Sequence, residues 1–272
     1  MTFQIHGFGA EPIKKQEPSA ILEPEARTLV PRKSLVQVRF PDRGMTLSYY
    51  NDKFDLKPGD FVYVDGKLEG QLGRVVDVNY CFKIKLSDYQ RVIALVDTHV
   101  SGQFFFAGSH FVTFDPHTLP RKQASLWFKA PPMEDDEFAS GTDDSGFHLE
   151  DLESMKVTAA IAQRGRGYYM ENKVRYLCLD GAQGYAIVEG TSGYEVEFEY
   201  RDGEISNLVC DCPCGYPCKH QVAAMLQLRE TLSFIEEHYM DAFRQTGYFA
   251  AVHKATLFVY AIDGKQTGSL TL

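Results

Sequence analysis

The chain has 272 residues, of which 44% are hydrophobic, and its formal net charge at pH 7 is −9. The apolar fraction excludes a chain that is disordered throughout, because such chains are poor in apolar residues. The acidic balance argues against a protein that coats nucleic acid by bulk charge. Apolar runs are far shorter than the roughly 18–20 residues that span a bilayer, and the N-terminus lacks the pattern of a secretory signal. We therefore expect a cytoplasmic protein, whose cysteines are more often free or metal-bound than disulfide-paired.

The charge is distributed unevenly along the chain. Residues 1–131 carry a net charge of +3, residues 132–150 carry −7 and residues 151–272 carry −5. The middle stretch has no basic residue and is rich in Gly, Ser and Thr, which predicts an extended acidic linker over residues 131–154. A long surface loop within a single domain is the alternative.

The first part of the chain is predicted to be an irregular arm followed by a small β domain. Residues 1–34 contain four prolines and few periodic apolar positions. Residues 35–130 then alternate short β-branched or aromatic segments with turn residues, a pattern typical of a small β-barrel or sandwich. The predicted strands are residues 35–40, 46–50, 60–64, 73–78, 82–86, 91–96 and 104–114. The run LKPGDFVYVDGKLEGQLGRVVDV resembles SH3-like small barrels.

Some aromatic and cysteine residues of the chain allow more than one interpretation. Tyr49, Tyr50 and Tyr80 either stack on nucleic-acid bases or pack across strands, and packing is the better-supported alternative. Cys81 and Cys178 have no partner motif and lie in apolar segments, so we expect both to be buried as small hydrophobic residues.

A cysteine cluster is the strongest signal in the second half of the chain. Four of the six cysteines lie between Cys210 and Cys218, and His220 follows. Zn²⁺ favours four tetrahedral Cys and His ligands. Residues 194–209 alternate and break at a turn, which predicts a hairpin whose end places Cys210 and Cys212 on one side. Apolar residues three and four apart predict a helix from about residue 219 to residue 239, with Cys218 and His220 at its start.

The spacing C-x-C-x₅-C-x-H followed by an amphipathic helix resembles the SWIM zinc finger. Residues 162–169, 186–190 and 194–196 resemble the strand region that precedes this finger in bacterial SWIM proteins, so the likeness covers about residues 157–232. The resemblance implies one structural Zn²⁺ ion, and its ligands are carried over as Cys210, Cys212, Cys218 and His220. Cys214 is an extra thiol with three open roles: a replacement for Cys212 or His220, a neighbour of the ligands, or an idle thiol.

The resemblance implies a binding role rather than a reaction, since SWIM fingers occur in Snf2-type ATPases, transposase relatives and ubiquitin-pathway proteins. The chain also lacks the common protease, P-loop and hydrolase motifs, and four available ligands favour a closed zinc site. We therefore expect a non-enzymatic interaction module with a protein partner. The alternative is a DNA- or RNA-binding accessory factor that works with a Snf2-type ATPase or helicase. No membrane partner and no small-molecule substrate is indicated.

One further motif bears on the nucleic-acid alternative. The run from Arg164 to Tyr169 contains two arginines, flexible glycines and two aromatic rings, as in proteins that bind single strands. Its candidate nucleic-acid contacts are Arg164, Arg166, Tyr168 and Tyr169. The other interpretation, which we favour, is a turn between strands with solvated arginines.

The expected fold is α+β and predominantly β. A small β-barrel or sandwich domain (35–130) is joined by the acidic linker (131–154) to a ββα-type zinc finger domain (155–272). At the C-terminus, residues 255–272 predict a further hairpin around Asp263 and Gly264.

Overall fold

The computed structural model describes residues 31–133, 136, 139–141, 145–214, 217–262, 270 and 271. The predicted N-terminal arm therefore lies outside the described residues up to residue 30. The described chain is mostly β, with two main antiparallel sheets and a smaller helical part, which confirms the prediction of an α+β, predominantly β fold.

The first sheet matches most of the strands predicted for the β domain. Its five strands run in the spatial order β2-β1-β4-β3-β5. They are β1 (Ser34–Phe40), β2 (Met45–Asn51), β3 (Phe61–Val64), β4 (Gly73–Asn79) and β5 (Val92–Val96). An isolated bridge between Tyr50 and Arg91 brings the two edges of this sheet together. Tyr49 and Tyr50 are each only 3% exposed. Tyr49 packs in the core of this sheet and Tyr50 packs against Phe82 and Arg91, so neither ring is available for base stacking.

The strand predicted over residues 82–86 does not form, and Cys81 is exposed rather than buried. The Cys81 backbone N–H donates to Oδ1 of Asn79 at 2.8 Å, and this turn ends β4. The chain then leaves the sheet and returns only at β5. The prediction of a buried Cys81 is therefore wrong, whereas Cys178 is buried as expected.

The second sheet has eight antiparallel strands in the order β7-β8-β14-β10-β11-β12-β13-β9. Two further short strands, β6 and β15, pair in parallel with each other. These strands are β6 (Gly102–Gln103), β7 (Phe105–Ala107), β8 (His110–Thr113), β9 (Phe147–His148), β10 (Val174–Asp180), β11 (Gln183–Glu189), β12 (Gly193–Arg201), β13 (Glu204–Cys210), β14 (Tyr248–His253) and β15 (Leu270–Thr271).

This sheet crosses the predicted domain boundary. Strands β7 and β8 come from the region assigned to the β domain, yet β8 pairs with β14 near the other end of the chain. Strand β9 comes from the predicted linker and pairs with the start of β13. Leu149 and Met155, on either side of the predicted end of that linker, are buried in the core of the second sheet. The division into domains stays a prediction, but these segments pair and pack across it.

The helices are distributed over the two faces of the second sheet. They are α1 (Arg121–Leu126), α2 (Ala159–Met170), α3 (Lys219–His238), α4 (Met240–Thr246) and α5 (Lys254–Leu257). Helix α3 packs on one face across β10–β13, and α2 packs against α3. The opposite face packs against Ala124 of α1, Trp127 and residues of β3 and β5. Among the described residues, no helix is long and apolar enough to span a membrane.

The run from residue 164 to residue 169 is helical, so neither a strand nor a turn forms there. It lies within α2, where Thr158 caps the N-terminus by accepting a hydrogen bond from the Ile161 backbone N–H. Gly165 is buried against α3, and a Cβ atom built on it would lie 2.4 Å from Cβ of Val222. The glycine that suggests a turn is therefore required by close helix packing.

The predicted C-terminal hairpin is also wrong in its first half. Residues 256–262 are helical, in α5 and a π-helical turn over Phe258–Ile262. Tyr260 stacks on Trp127 with 4.9 Å between ring centroids, and its hydroxyl donates to the Trp127 carbonyl. A short apolar run does not distinguish strand from helix by itself, and here packing on Trp127 accompanies the helical form. Most of the second half of this hairpin lies outside the described residues.

Candidate metal centre

The metal centre lies where the second sheet meets α3. Strands β12 and β13 form the predicted hairpin, and β13 ends at Cys210. Helix α3 begins at Lys219 with Cys218 as its N-cap, within one residue of the predicted bounds at both ends. The two Cys-bearing segments are thus the end of a strand and the start of a helix, which the fold holds side by side.

The four predicted ligands come together in space. The sulfur atoms of Cys210, Cys212 and Cys218 and a ring nitrogen of His220 all lie within 4.8 Å of one another. His220 Nδ1 is 3.8 Å from Sγ of Cys210 and 3.7 Å from Sγ of Cys218. A tetrahedral zinc ion with Zn–S bonds of about 2.3 Å and Zn–N bonds of about 2.0–2.1 Å places S and N about 3.6 Å apart. The donor set and its spacing therefore fit Zn²⁺.

The protonation of the three thiols also fits a cation. The hydrogen bond from Cys210 lowers the pKa of Cys218, and Cys218 lies at the positive end of the α3 dipole. The same interaction with Cys218 raises the pKa of Cys210, and burial raises the pKa of Cys212 to about 11. One thiolate is favoured without a metal, but three thiolates this close together, two of them buried, require a positive charge between them.

Two tyrosine rings fix the imidazole of His220. Tyr194 stacks on it with 4.4 Å between centroids and 21° between ring planes, and Tyr168 meets its edge at 5.5 Å. A Cβ atom at Gly190 would lie 2.7 Å from the Tyr194 ring and 3.4 Å from Nε2 of His220. His220 Nε2 is buried and has no hydrogen-bond partner among the described residues. Packing, rather than a hydrogen bond, therefore sets the orientation of this ligand.

Gln221 connects the strand end to the helix start. Its Oε1 accepts a hydrogen bond from the Cys218 backbone N–H at 2.7 Å, and its Nε2 donates to the Leu208 carbonyl at 2.9 Å. The side chain is 7% exposed. Our sequence interpretation missed this residue, although a Gln three residues after a helix N-cap is the signature of a capping box.

Gln221→Met is expected to weaken zinc binding. The substitution leaves the Cys218 N–H and the Leu208 carbonyl without partners, which costs about 1–3 kcal/mol of folding free energy. Removing a residue that orients a metal ligand typically lowers metal affinity 10–100-fold. We expect the zinc affinity of Gln221→Met to fall within this range, as measured by competition with a zinc chelator.

Gln227→Met is the matched control for this experiment. Gln227 is buried on the same helix and donates to Glu230 and Thr231, but it is not part of the metal centre. Its substitution is expected to lower stability without changing zinc affinity. Equal zinc affinity in the two variants would show that Gln221 does not position the ligands.

Cys214, the extra thiol, does not join the cluster. It is exposed and lies outside the group of four. Within the described chain, the possible metal-binding group therefore has the four donors that the SWIM resemblance implies. Cys214 is not required in place of Cys212 or His220.

The structure brings together only part of the predicted nucleic-acid surface. Arg164 and Arg166 are both exposed on α2, but two residues of a helix correspond to about 200° of rotation, so they point to different sides. Tyr168 lies one turn from Arg164, and Lys219 Nζ lies 4.5 Å from the centroid of the Tyr168 ring. Tyr169 is half-buried against the core. Arg164, Tyr168 and Lys219 thus form one small basic surface beside the metal centre, without Arg166 and Tyr169.

A large groove runs along the other side of the metal centre. Its volume is about 1710 Å³, and it is bordered by β13, by Cys212 and Cys214, and by residues 128–133 after α1. Lys129 crosses toward β12 and β13, where it pairs with Asp211 and Glu195. The groove therefore has a polar wall and a strand edge along the same side as the cysteine cluster.

Comparison with known proteins agrees with this geometry. No curated protein and no solved structure matches the chain at a significant level. The family model for the SWIM zinc finger matches residues 197–229, which extend from β12 through the cysteine cluster into α3 and include all four donors. Residues 197–229 are therefore similar to a SWIM zinc finger, and their Cys₃His cluster supports a single structural Zn²⁺ ion.

Proposed function

We propose that this protein is a non-enzymatic interaction module, in which the zinc finger holds one wall of a groove for an extended segment of a partner protein. Zinc would join the end of β13 to the start of α3 and contribute folding free energy to that wall. The observation that carries the proposal is the partly uncovered edge of β13 beside the groove. The cytoplasmic location stays a prediction of the sequence.

On its outer side, β13 pairs with another strand of the described chain only at its beginning, and farther along the Leu208 carbonyl accepts a hydrogen bond from Nε2 of Gln221. Strand β9 pairs with Glu204 and Ile205, and no other strand of the described chain covers the rest of that edge. Residues 207–212 line the groove, and Leu208 and Val209 are half-buried there. An open strand edge is a template for pairing with an extended segment, and neighbouring apolar side chains add specificity.

The charge of the groove favours a basic segment over a phosphate backbone. Carboxylates outnumber lysines among its charged lining residues, which are Glu69, Asp136, Glu195, Glu197, Asp211, Lys122, Lys129 and Lys156. Three thiolates around one Zn²⁺ would add a further net charge of about −1. Because a polyanion would be repelled here, a lysine- or arginine-containing peptide is the better partner.

The test uses the full-length, zinc-loaded chain and peptides of about ten residues that alternate Val or Tyr with Lys, alongside matched peptides with Glu in place of Lys. We expect saturable binding of the basic peptides and weaker binding of the acidic ones. Val209→Lys should weaken the binding of the basic peptides, because it adds a positive charge at the strand edge. Val209→Glu should not weaken their binding. Equal binding of both peptide classes, or equal effects of both variants, would contradict the proposal.

Arg164, Tyr168 and Lys219 support the alternative, a DNA- or RNA-binding accessory factor that works with a Snf2-type ATPase or helicase. The same titration with a single-stranded oligonucleotide separates the two functions. A nucleic-acid binder should lose affinity steeply with added salt and with Arg164→Glu, while Arg166→Glu, on another side of α2, should have a smaller effect. Binding that is absent or independent of salt would remove this alternative.

A further inference from the structure

A lysine of the chain itself crosses the groove and binds the carboxylates beside the metal centre. Lys129 follows helix α1, and its Nζ lies 2.5 Å from Oδ2 of Asp211 and 3.9 Å from Oε1 of Glu195. All three residues line the groove. Asp211 lies between the metal donors Cys210 and Cys212, just after the partly uncovered edge of β13. The contact therefore joins the two walls of the groove at the place where a partner segment would lie.

The Asp211 carboxylate is held in place by bonds that do not involve Lys129. Its Oδ1 accepts a hydrogen bond from the Glu195 backbone N–H at 2.8 Å, and the Asp211 backbone N–H donates to the Glu195 carbonyl at 3.1 Å. These bonds tie Asp211 to the start of β12, whichever cation the carboxylate binds. If Lys129 moved away, Oδ2 would remain in position for another ammonium or guanidinium group.

The contact made by Lys129 is exposed enough to be exchanged. The side chains of Lys129, Asp211 and Glu195 are 41%, 33% and 28% exposed. Ion pairs at this level of exposure add little net stability, because water solvates the separated charges and fixing a long side chain costs entropy. The lysine ammonium also lies at the end of a flexible four-carbon chain. A second basic side chain can therefore replace it without disturbing the fold.

We propose that Lys129 makes an autoinhibitory contact: in the free protein its ammonium group occupies the position on Asp211 that a lysine or arginine side chain of the partner takes in the complex. This inference rests on the proposed function of the groove. Asp211, Glu195 and the zinc–thiolate group are all negative, so the partner must supply a cation when Lys129 leaves. The measured affinity for a basic segment is then the intrinsic affinity reduced by the fraction of molecules in which Lys129 is displaced.

Lys129→Met tests the contact, since methionine removes the ammonium group and keeps an unbranched side chain. Binding of the peptides that alternate Val or Tyr with Lys is measured by calorimetry on the full-length, zinc-loaded chain. We expect Lys129→Met to bind them about three- to fivefold more tightly than the parent, because an exposed ion pair no longer competes. Lys122→Met is the matched control, since Lys122 also borders the groove but forms no ion pair among the described residues. It removes the same charge and should change the affinity by less than about twofold.

Asp211→Asn completes the experiment, because asparagine keeps an acceptor for the Glu195 N–H and loses the negative charge. It should weaken the binding of the basic peptides, and in its background Lys129→Met should no longer raise their affinity. Zinc content, measured by mass spectrometry, shows that the finger of each variant is loaded. Equal effects of Lys129→Met and Lys122→Met, or a gain that persists with Asp211→Asn, would overturn the autoinhibitory contact and leave the proposed function intact. If neither the parent nor Lys129→Met binds the basic peptides, the proposed function fails and this inference fails with it.

Discussion

Replacing any one of the three cysteine ligands by serine is expected to abolish stable zinc binding and to unfold the junction between β13 and α3. The variants are Cys210→Ser, Cys212→Ser and Cys218→Ser. In small zinc modules the metal contributes about 10–16 kcal/mol of apparent binding free energy, and the loss of one ligand removes much of it. The zinc content of the purified protein, measured by mass spectrometry, should fall from about one ion per chain to a small fraction.

Cys214→Ser is the matched control for these three variants. Cys214 belongs to the same short segment but is exposed and outside the group of four donors. This variant should keep its full zinc content and its melting temperature. Zinc loss in Cys214→Ser, together with retention in Cys212→Ser, would show that the extra thiol replaces Cys212 as a ligand.

Gly165→Ala is expected to lower the free energy of unfolding by about 1–3 kcal/mol, the usual range for overpacking a core. The new methyl group would lie 2.4 Å from Cβ of Val222 and 3.0 Å from the backbone carbonyl of Lys219. Neither the Val222 Cβ atom nor the Lys219 carbonyl can move away without shifting the first turn of α3, where Cys218 and His220 lie. We therefore expect reduced zinc affinity as well as a lower urea midpoint.

Gly167→Ala tests the same substitution two residues further along the same helix. A Cβ atom there would meet nothing within 4 Å. Because alanine favours a helix over glycine by about 1 kcal/mol, this variant should be more stable than the parent. A similar loss of stability in both variants would mean that Gly165 serves the conformation of the chain rather than the packing of α2 on α3.

The finger could be predicted from sequence because its signals are local. The turn after Arg201 ends one strand and begins the next, and the apolar positions of α3 repeat at helical spacing. The residues around the ligands were harder to find. Tyr194 and Gly190 act on His220 through contacts between the start of β12 and helix α3, and no spacing rule connects them to it. Gln221 was detectable in principle from its place three residues after the helix N-cap.

The wrong predictions for residues 164–169, for the C-terminal run and for the pairing of β8 share a physical cause, which is that tertiary contacts decide between local alternatives. Gly165 and Gly167 look like turn residues, yet α3 is close enough to α2 to require a residue without a side chain at one of these positions. The apolar run around Tyr260 fits a strand or a helix equally well, and contact with Trp127 is found with the helix. The pairing of β8 with β14 depends on register between distant segments, which periodicity within either segment cannot reveal.

The pairing of β8 with β14 sets a constraint on how this chain folds during synthesis. Val112 pairs with Ala251 in the native sheet, so β8 is synthesised early but cannot pair with β14 until residues near 251 have been synthesised. At 5–20 residues per second, ribosomes need roughly 7–30 s to cover that interval. During this time β7 and β8 pair only with each other, and Phe105 and Phe111 lack the part of the native core that the later strands supply. Newly made chains should therefore depend on chaperones until the last strands emerge, and a fragment that ends before β14 should aggregate.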